Sequence, residues 1–213
     1  MDKKSMETNF VLEMALFLLK SDSLKFGLYT LASGKQSSYY IDLRILQSFP
    51  RYFRLTIIAL RDLISREIGS DFDSLGSIPT SGLIFASALG YDMLKPLIYV
   101  RKESKMYGRR KMVEGYLRPG EKVLLVDDVA TTGTSLSNTI KVIRENGAIV
   151  KDAVAIISRL EGAEEKLQKM GVRLIAIATI NDLINALHDK GLLDRNSLEE
   201  IIKQKADQGL ETD

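Results

Sequence analysis

Val123-Leu-Leu-Val-Asp-Asp-Val-Ala-Thr-Thr-Gly-Thr-Ser135 puts a strand, an acid pair, a hydroxyl-rich loop and a helix start into thirteen residues. Val123–Val126 is a continuous apolar run, the mark of a strand buried on both faces. Two acids close it. Side chains alternate along a strand, so Asp127 and Asp128 point to opposite faces. The loop that follows carries Val129 and Ala130, then Thr131, Thr132, Gly133, Thr134 and Ser135. Backbone N–H groups at a helix start, together with these hydroxyls, can cradle a phosphate monoester. Gly133 lets the backbone approach the anion closely. Carboxylates beside such a cradle suit sugar hydroxyls or a magnesium-linked water. Taken singly, an acid pair can end a strand and Thr-Gly-Thr-Ser can cap a helix. Their joint occurrence after four apolar residues points to a binding site. A Walker-type loop is excluded, because no Gly-Lys-Ser/Thr follows.

Outward from this run, the rhythm is strand, loop, helix. Apolar strands are predicted at Leu75–Ile78, Pro96–Val100, Ala153–Ile157 and Val172–Ala178. Helices are predicted at Gly82–Leu94, Thr134–Glu145, Ala163–Lys169 and Ile180–His188, with a last one over Asn196–Lys205. This alternation predicts a parallel sheet covered on both faces, with ligands beyond the carboxyl ends of its strands. Towards the N-terminus the pattern changes. Residues 8–20 carry a helical stripe of Phe10, Val11, Met14, Ala15, Leu18 and Leu19. Phe26–Leu31 and Ser38–Leu43 read as strands joined across Ser33-Gly34-Lys35-Gln36. Pro50 opens a helix to about Gly69, with Phe53, Ile57, Ile58, Leu63, Ile64 and Ile68 as candidate core.

Composition bounds the function. At about 150 residues per domain, 213 residues make one large domain or one with an appendage. Hydrophobic residues at 45% and charged residues at 27% exclude a disordered or collagen-like chain. Thirty basic and 28 acidic residues leave a charge of +2. A dedicated nucleic-acid binder carries a larger excess, so electrostatic work must be local and no nucleic-acid partner is expected. No cysteine is present, which excludes thiolate catalysis, disulfides and Cys-ligated zinc. A cytoplasmic location is expected. No apolar run approaches the roughly 18 residues of a membrane helix, and Met1-Asp-Lys-Lys-Ser-Met6 has no apolar secretion region. His188 is the only histidine, so a multi-histidine metal site is excluded. It reads as a helix-end residue beside Asp189 and Lys190.

The 123–135 run resembles the phosphoribosyl-pyrophosphate (PRPP) signature of type I phosphoribosyltransferases, with Ala130 where a larger aliphatic residue is common. Three further segments are similar to the orotate phosphoribosyltransferase family. Leu31-Ala-Ser-Gly-Lys-Gln-Ser-Ser-Tyr-Tyr-Ile-Asp-Leu-Arg44 is like its hairpin over the active site. Val100-Arg-Lys-Glu-Ser-Lys-Met-Tyr-Gly108 is like its mobile catalytic loop. Ile157-Ser-Arg-Leu-Glu-Gly162 and Ile180-Asn-Asp-Leu-Ile184 complete the likeness, which runs from about residue 20 to 190. The resemblance implies an α/β fold: a Rossmann-like parallel-sheet core over 50–213 with a mobile loop at 101–114, and a small helix-plus-hairpin hood over 1–49.

The resemblance also implies an activity: transfer of the phosphoribosyl group of PRPP to orotate, giving orotidine 5′-monophosphate and pyrophosphate in pyrimidine (UMP) biosynthesis. The cofactor expected is Mg²⁺, held by substrate oxygens and water with no protein metal ligand. PRPP would be bound by Arg101, Lys102, Lys105, Tyr107, Asp127, Asp128 and the 129–135 loop. Lys105, Asp127 and Asp128 would be the catalytic residues. Orotate would meet Tyr40, Ile41, Thr131 and Arg159. A homodimer is implied, with loop 101–114 serving the neighbouring site. Physically, residues 101–111 hold six cations and one acid, Glu103, and prepositioned cations stabilise a diphosphate that gains charge as its bond breaks. Tyr107 stands where the family often has histidine, Ala32 where many relatives have lysine, and Ser81 where some do. Asp42 and Arg44 read equally as a structural pair, and Pro79-Thr-Ser-Gly82 as a diphosphate loop or a helix cap. A phosphoribosyltransferase for another base and a non-catalytic PRPP-sensing regulator are the alternatives.

Overall fold

The computed structural model describes residues 3–30, 36–101 and 112–193. Two compact units divide the chain: Met1–Tyr52 with Ala178–Asp213, and Phe53–Ile177. In chain order the elements are α1 (Lys3–Lys20), β1 (Leu24–Thr30), β2 (Gln36–Ile41), a 3₁₀ turn (Arg44–Ser48), α2 (Pro50–Glu67), β3 (Ser74–Ser77), α3 (Ser81–Met93) and β4 (Leu97–Val100). They continue with β5 (Val113–Glu114), β6 (Val123–Ala130), α4 (Thr134–Glu145), β7 (Asp152–Ser158), α5 (Ala163–Gln168), β8 (Arg173–Thr179) and α6 (Ile180–Asp189).

The larger unit is built on a six-stranded sheet in the order β5-β4-β3-β6-β7-β8. β3 runs parallel to β4 and to β6, and β6 runs parallel to β7. β5 runs antiparallel to β4. The apolar run of β6 is buried from Val123 to Val126. Val123 and Leu125 join a core with Ile140 and Ile143 of α4 and with Ala163 and Leu167 of α5, while Leu124 and Val126 are buried at the alternate positions. The predicted strands and helices of this unit are present, with ends shifted by a residue or two. One difference matters for the site. β6 was expected to end at Val126 and runs on to Ala130, because β7 keeps pairing with it through Ala130↔Ser158. β3 stops at Ser77, opposite Val126. Asp127–Ala130 therefore extend past the last β3 partner.

The order of the strands fixes where a ligand binds. β3 leads through α3 to β4 on one side, and β6 leads through α4 to β7 on the other. β3 and β6 are thus neighbours from which the chain departs in opposite directions, and their carboxyl ends flank the crevice that such a switch creates. The sheet is also tightly fitted there. A Cβ on Gly76 of β3 would lie 2.7 Å from Val123 Cγ1 and 2.9 Å from Leu125 Cδ2. Gly76→Ala is expected to destabilise the protein by about 1–3 kcal/mol through overpacking, read as a lower thermal unfolding midpoint. An unchanged midpoint would contradict this packing.

In the smaller unit, α1 packs against α6, burying Met14, Leu18, Leu183 and Leu187. The segment from Ala178 belongs to this unit, where the 1–49 and 50–213 split placed it with the core. The physical reason is that α1 and α6 pack together, so that Met14 and Leu18 of one and Leu183 and Leu187 of the other are buried. Thr179 caps α6: its hydroxyl accepts from the Asp182 N–H, and the Asp182 carboxylate accepts from the Thr179 N–H. Phe17 stacks on Tyr52 at 4.0 Å and meets Phe49 edge-on at 4.9 Å. β1 and β2 pair antiparallel, as expected. Their connection at 31–35 and the helix predicted over 196–205 lie outside the described residues. In α2, whose residues from Phe53 on belong to the larger unit, Thr56 and Leu60 are buried along with Ile57, Leu63 and Ile64, whereas Phe53 and Ile58, and Ile68 just past its end, are only partly covered. His188 closes α6 within 3.9 Å of Asp189.

Candidate active site

Asp127 sits where β6 outruns β3. Its Oδ1 accepts the N–H of Asp128 at 3.0 Å, and it abuts the first turn of α3. A Cβ on Gly82 would fall 2.7 Å from Asp127 Oδ1, 2.9 Å from Ser77 Oγ and 3.1 Å from Asp127 Cα. Ser77 is itself fixed, since its buried hydroxyl donates to the Val126 carbonyl at 2.7 Å. A cis peptide joins Pro79 to Thr80. Thr80, at the N-cap position of α3, makes no side-chain cap bond, so Pro79-Thr-Ser-Gly82 does not act as a plain hydroxyl cap. Its glycine instead makes room for a carboxylate.

After β6 the chain turns through Thr131–Gly133 into α4. Gly133 takes a left-handed conformation at φ 69°, and a Cβ there would meet Ala163 Cα and Leu167 Cδ1 at 3.0 Å. Both constraints require glycine. The hydroxyls of Thr132 and Thr134 lie 3.1 Å apart and are exposed, as is Ser135. The first-turn N–H groups of an α-helix have no partner within the helix, so this corner presents donors to an anion. Main-chain bonds stitch it to the loop after β7. The Arg159 N–H donates to the Ala130 carbonyl at 2.9 Å, and the Ala163 N–H donates to the Thr131 carbonyl at 3.1 Å. Arg159 is only 4% exposed, and its Nε donates to Glu161 Oε1 at 2.7 Å. The guanidinium is thus buried and tied to a carboxylate, which fixes it beside the ends of β6 and β7.

Of the basic loop, only Arg101 lies among the described residues. Its N–H donates to the Met112 carbonyl at 2.9 Å, and its Nη1 lies 3.2 Å from Glu114 Oε1. Lys102, Lys105 and Tyr107 fall outside the described residues. In the smaller unit, Arg44 grips Asp42 with Nε to Oδ1 at 2.8 Å and Nη2 to Oδ2 at 2.6 Å. The Arg44 side chain, hydrogen-bonded to Asp42, holds that carboxyl below the usual carboxylate range against the opposing effect of burial. The Tyr40 hydroxyl donates to Asp42 Oδ2 at 3.3 Å, and Ile41 is buried at 8%. This is the structural pair that the sequence left open, with Tyr40 tied into it.

Comparison with known proteins places the chain in a family. The family described as a phosphoribosyl transferase domain matches residues 53–185. Orotate phosphoribosyltransferase of Cenarchaeum symbiosum is 42% identical over 193 residues, covering 90% of this chain and 96% of that one. The protein of the same name from Methanocaldococcus jannaschii is 38% identical over 86% of this chain and 98% of its own. The crystal structure of orotate phosphoribosyltransferase from Aeropyrum pernix superposes with a TM-score of 0.74 at 36% identity, covering 85% of this chain and 99% of that one. The chain belongs to the orotate phosphoribosyltransferase family. Its fold is the mixed α/β fold of type I phosphoribosyltransferases, with a mostly parallel central sheet.

Seen as an orotate phosphoribosyltransferase, the larger unit brings Asp127, Asp128, the Thr131–Ser135 loop and Arg159 to the carboxyl ends of β6 and β7. Asp127 and Asp128 are partly accessible, while Ala130 is buried in the sheet. Among the described residues, no group of three or more His, Cys, Asp or Glu side chains could hold a metal ion. The carboxylates of Asp127 and Asp128 are hard oxygen donors, the kind of ligand Mg²⁺ accepts. No described helix is long and apolar enough to cross a membrane. Sequence reasoning missed the partnership of Gly82 with Asp127. The available signal was a glycine two residues after Thr80, where a helix start otherwise favours a side chain.

Proposed function

We infer that this chain catalyses the reaction of orotate with PRPP to give orotidine 5′-monophosphate and pyrophosphate. The carrying observation is the junction at the switch point: two carboxylates at the end of β6, a donor-rich loop, and a buried arginine hydrogen-bonded through its main chain to Ala130. The C1′–O bond of PRPP breaks, and diphosphate leaves with the electron pair. Orotate N1 forms the new bond to C1′ and its proton passes to solvent. Asp127 and Asp128 hold the ribose hydroxyls and offset positive charge on the sugar as it develops. The Thr131–Ser135 loop anchors the 5′-phosphate. Arg159 and Thr131 read orotate, with Tyr40 and Ile41 as further contacts, and the Arg159 fork matches a carboxylate. Lys105, with Arg101, Lys102 and Tyr107, receives the diphosphate. Mg²⁺, when bound, neutralises diphosphate oxygens.

The working unit proposed is a homodimer, with loop 101–114 reaching the partner's site, and the location proposed is the cytoplasm. The test is pyrophosphate release from PRPP with Mg²⁺ and one base at a time, in the absence of nucleic acid. Orotate should support turnover, while uracil, adenine and hypoxanthine should not. Uracil lacks only the carboxylate, so its rejection reports on Arg159. Turnover with a purine instead would overturn the orotate assignment. PRPP binding with no turnover on any base would favour a sensing role.

A further inference from the structure

The signature run 123–135 contains no lysine or arginine, although a phosphate monoester carries a charge of about −1.5 to −2. The N-terminus of α4 offers the equivalent of about half a positive charge. Any full cation at this phosphate therefore comes from outside the run. Lys166 of α5 places one there: its Nζ donates to Thr134 Oγ1 at 2.8 Å, and that same oxygen lies 3.1 Å from Thr132 Oγ1. We propose that Lys166 is a phosphate-binding residue, pairing with the 5′-phosphate of PRPP beside Thr132 and Thr134. This rests on the reading of Thr131–Ser135 as the phosphoribosyl-binding loop.

Three features aim Lys166 at that anion. First, α5 is held against the loop. Gly133 admits Ala163 and Leu167 at 3.0 Å from where its Cβ would be, and the Ala163 N–H bonds to Thr131. Leu167 is buried, so its neighbour Lys166 emerges on the exposed side next to the α4 start. Second, the nearby acids do not claim it. Glu164 accepts the hydroxyl of Ser158, and among the described residues no carboxylate forms an ion pair with Lys166. Third, the donor count is right. An ammonium has three N–H donors, and only one is spent on Thr134. By accepting that bond, Thr134 Oγ1 is left with its own proton to give, either to Thr132 or to a phosphate oxygen.

An exposed lysine bonded to a neutral hydroxyl adds little to folding, so removing its charge should act on the ligand and not on the fold. Lys166→Met keeps the stem and removes the ammonium. The expected result is an increase of about tenfold in KM for PRPP, equivalent to about 1.4 kcal/mol, with kcat and KM for orotate changed less than about twofold. The affinity for ribose 5-phosphate, measured by calorimetry without any base, should fall by a similar factor. Lys166→Arg should restore it. The salt dependence of ribose 5-phosphate binding should flatten in the methionine variant. Unchanged ribose 5-phosphate affinity and unchanged KM for PRPP would overturn the assignment. Should Lys166→Met lower the melting temperature, Lys166→Gln is read by the same two measurements. If the native protein binds ribose 5-phosphate through Lys166 but does not turn over orotate, the base assignment fails and the lysine stands. If the native protein does not bind ribose 5-phosphate, the loop reading and Lys166 fall together.

Discussion

Lys105→Ala is expected to lower kcat by about 10²–10³-fold, the range seen when one oxyanion-hole donor is removed, while KM for orotate changes little. The argument is electrostatic. The leaving diphosphate gains negative charge as the C1′–O bond breaks, so a cation beside it contributes more in the transition state than in the ground state. Residues 101–111 concentrate six cations against one acid. Arg101 is already paired with Glu114, which leaves the inner lysines as the better candidates. Lys105 lies outside the described residues, so this prediction stands on the sequence and on the family. Steady-state kinetics at saturating PRPP decide it, and turnover within about twofold of native, far under 1.4 kcal/mol in barrier, would remove Lys105 from the mechanism. The same variant tests the shared site. Mixed with an Asp128→Asn variant, it should regain activity in hybrid dimers, because one of the two sites then holds both native residues. Verified hybrids without recovery would place loop and carboxylates in one chain.

Gly82→Ala is the second large effect. A methyl group at Gly82 would crowd Asp127 Oδ1 at 2.7 Å and Ser77 Oγ at 2.9 Å. Ser77 is held by its bond to Val126, so Asp127 must rotate. A displacement near 1 Å of a group that positions substrate costs about 10²-fold in rate, and that is the expected loss in kcat/KM for PRPP. The stability effects oppose each other: alanine in a helix is favoured over glycine by roughly 0.8–1 kcal/mol, against the local crowding. The variant should therefore remain folded, with near-native circular dichroism. Full activity in Gly82→Ala would show that the Asp127 rotamer is not critical.

Much of the architecture could be read because its signals are local. Four apolar residues in Val123–Val126 and a hydroxyl-glycine turn before Thr134 are enough to place a buried strand and a helix start. The length of β6 could not be read, because Asp127–Ala130 are strand only through partners supplied by β7. β5 is two residues long and exists as the partner of β4, so no periodicity announces it. In the site, the acids and the loop are contiguous in sequence and were visible together. The contact between Gly82 and Asp127 spans 45 positions and depends on two strands lying side by side. The same holds for Lys166, which looks like any other solvent-facing lysine until α5 is seen against the α4 start. Tyr40 shows the opposite case: an aromatic residue read as a base contact is also tied into the Asp42–Arg44 pair next to it.

The two main-chain bonds between the loop after β6 and the loop after β7, Arg159 to Ala130 and Ala163 to Thr131, have a consequence for mutational drift. On the proposed reading of the site they set the span between the phosphate end and the base end of a bound nucleotide, and neither is made by a side chain that a substitution could delete. The gauge that measures the nucleotide is thus written into the polypeptide backbone. Residues around it other than Gly133, which must stay small for Ala163 to approach, can change identity, and so retune affinity, without resetting its length.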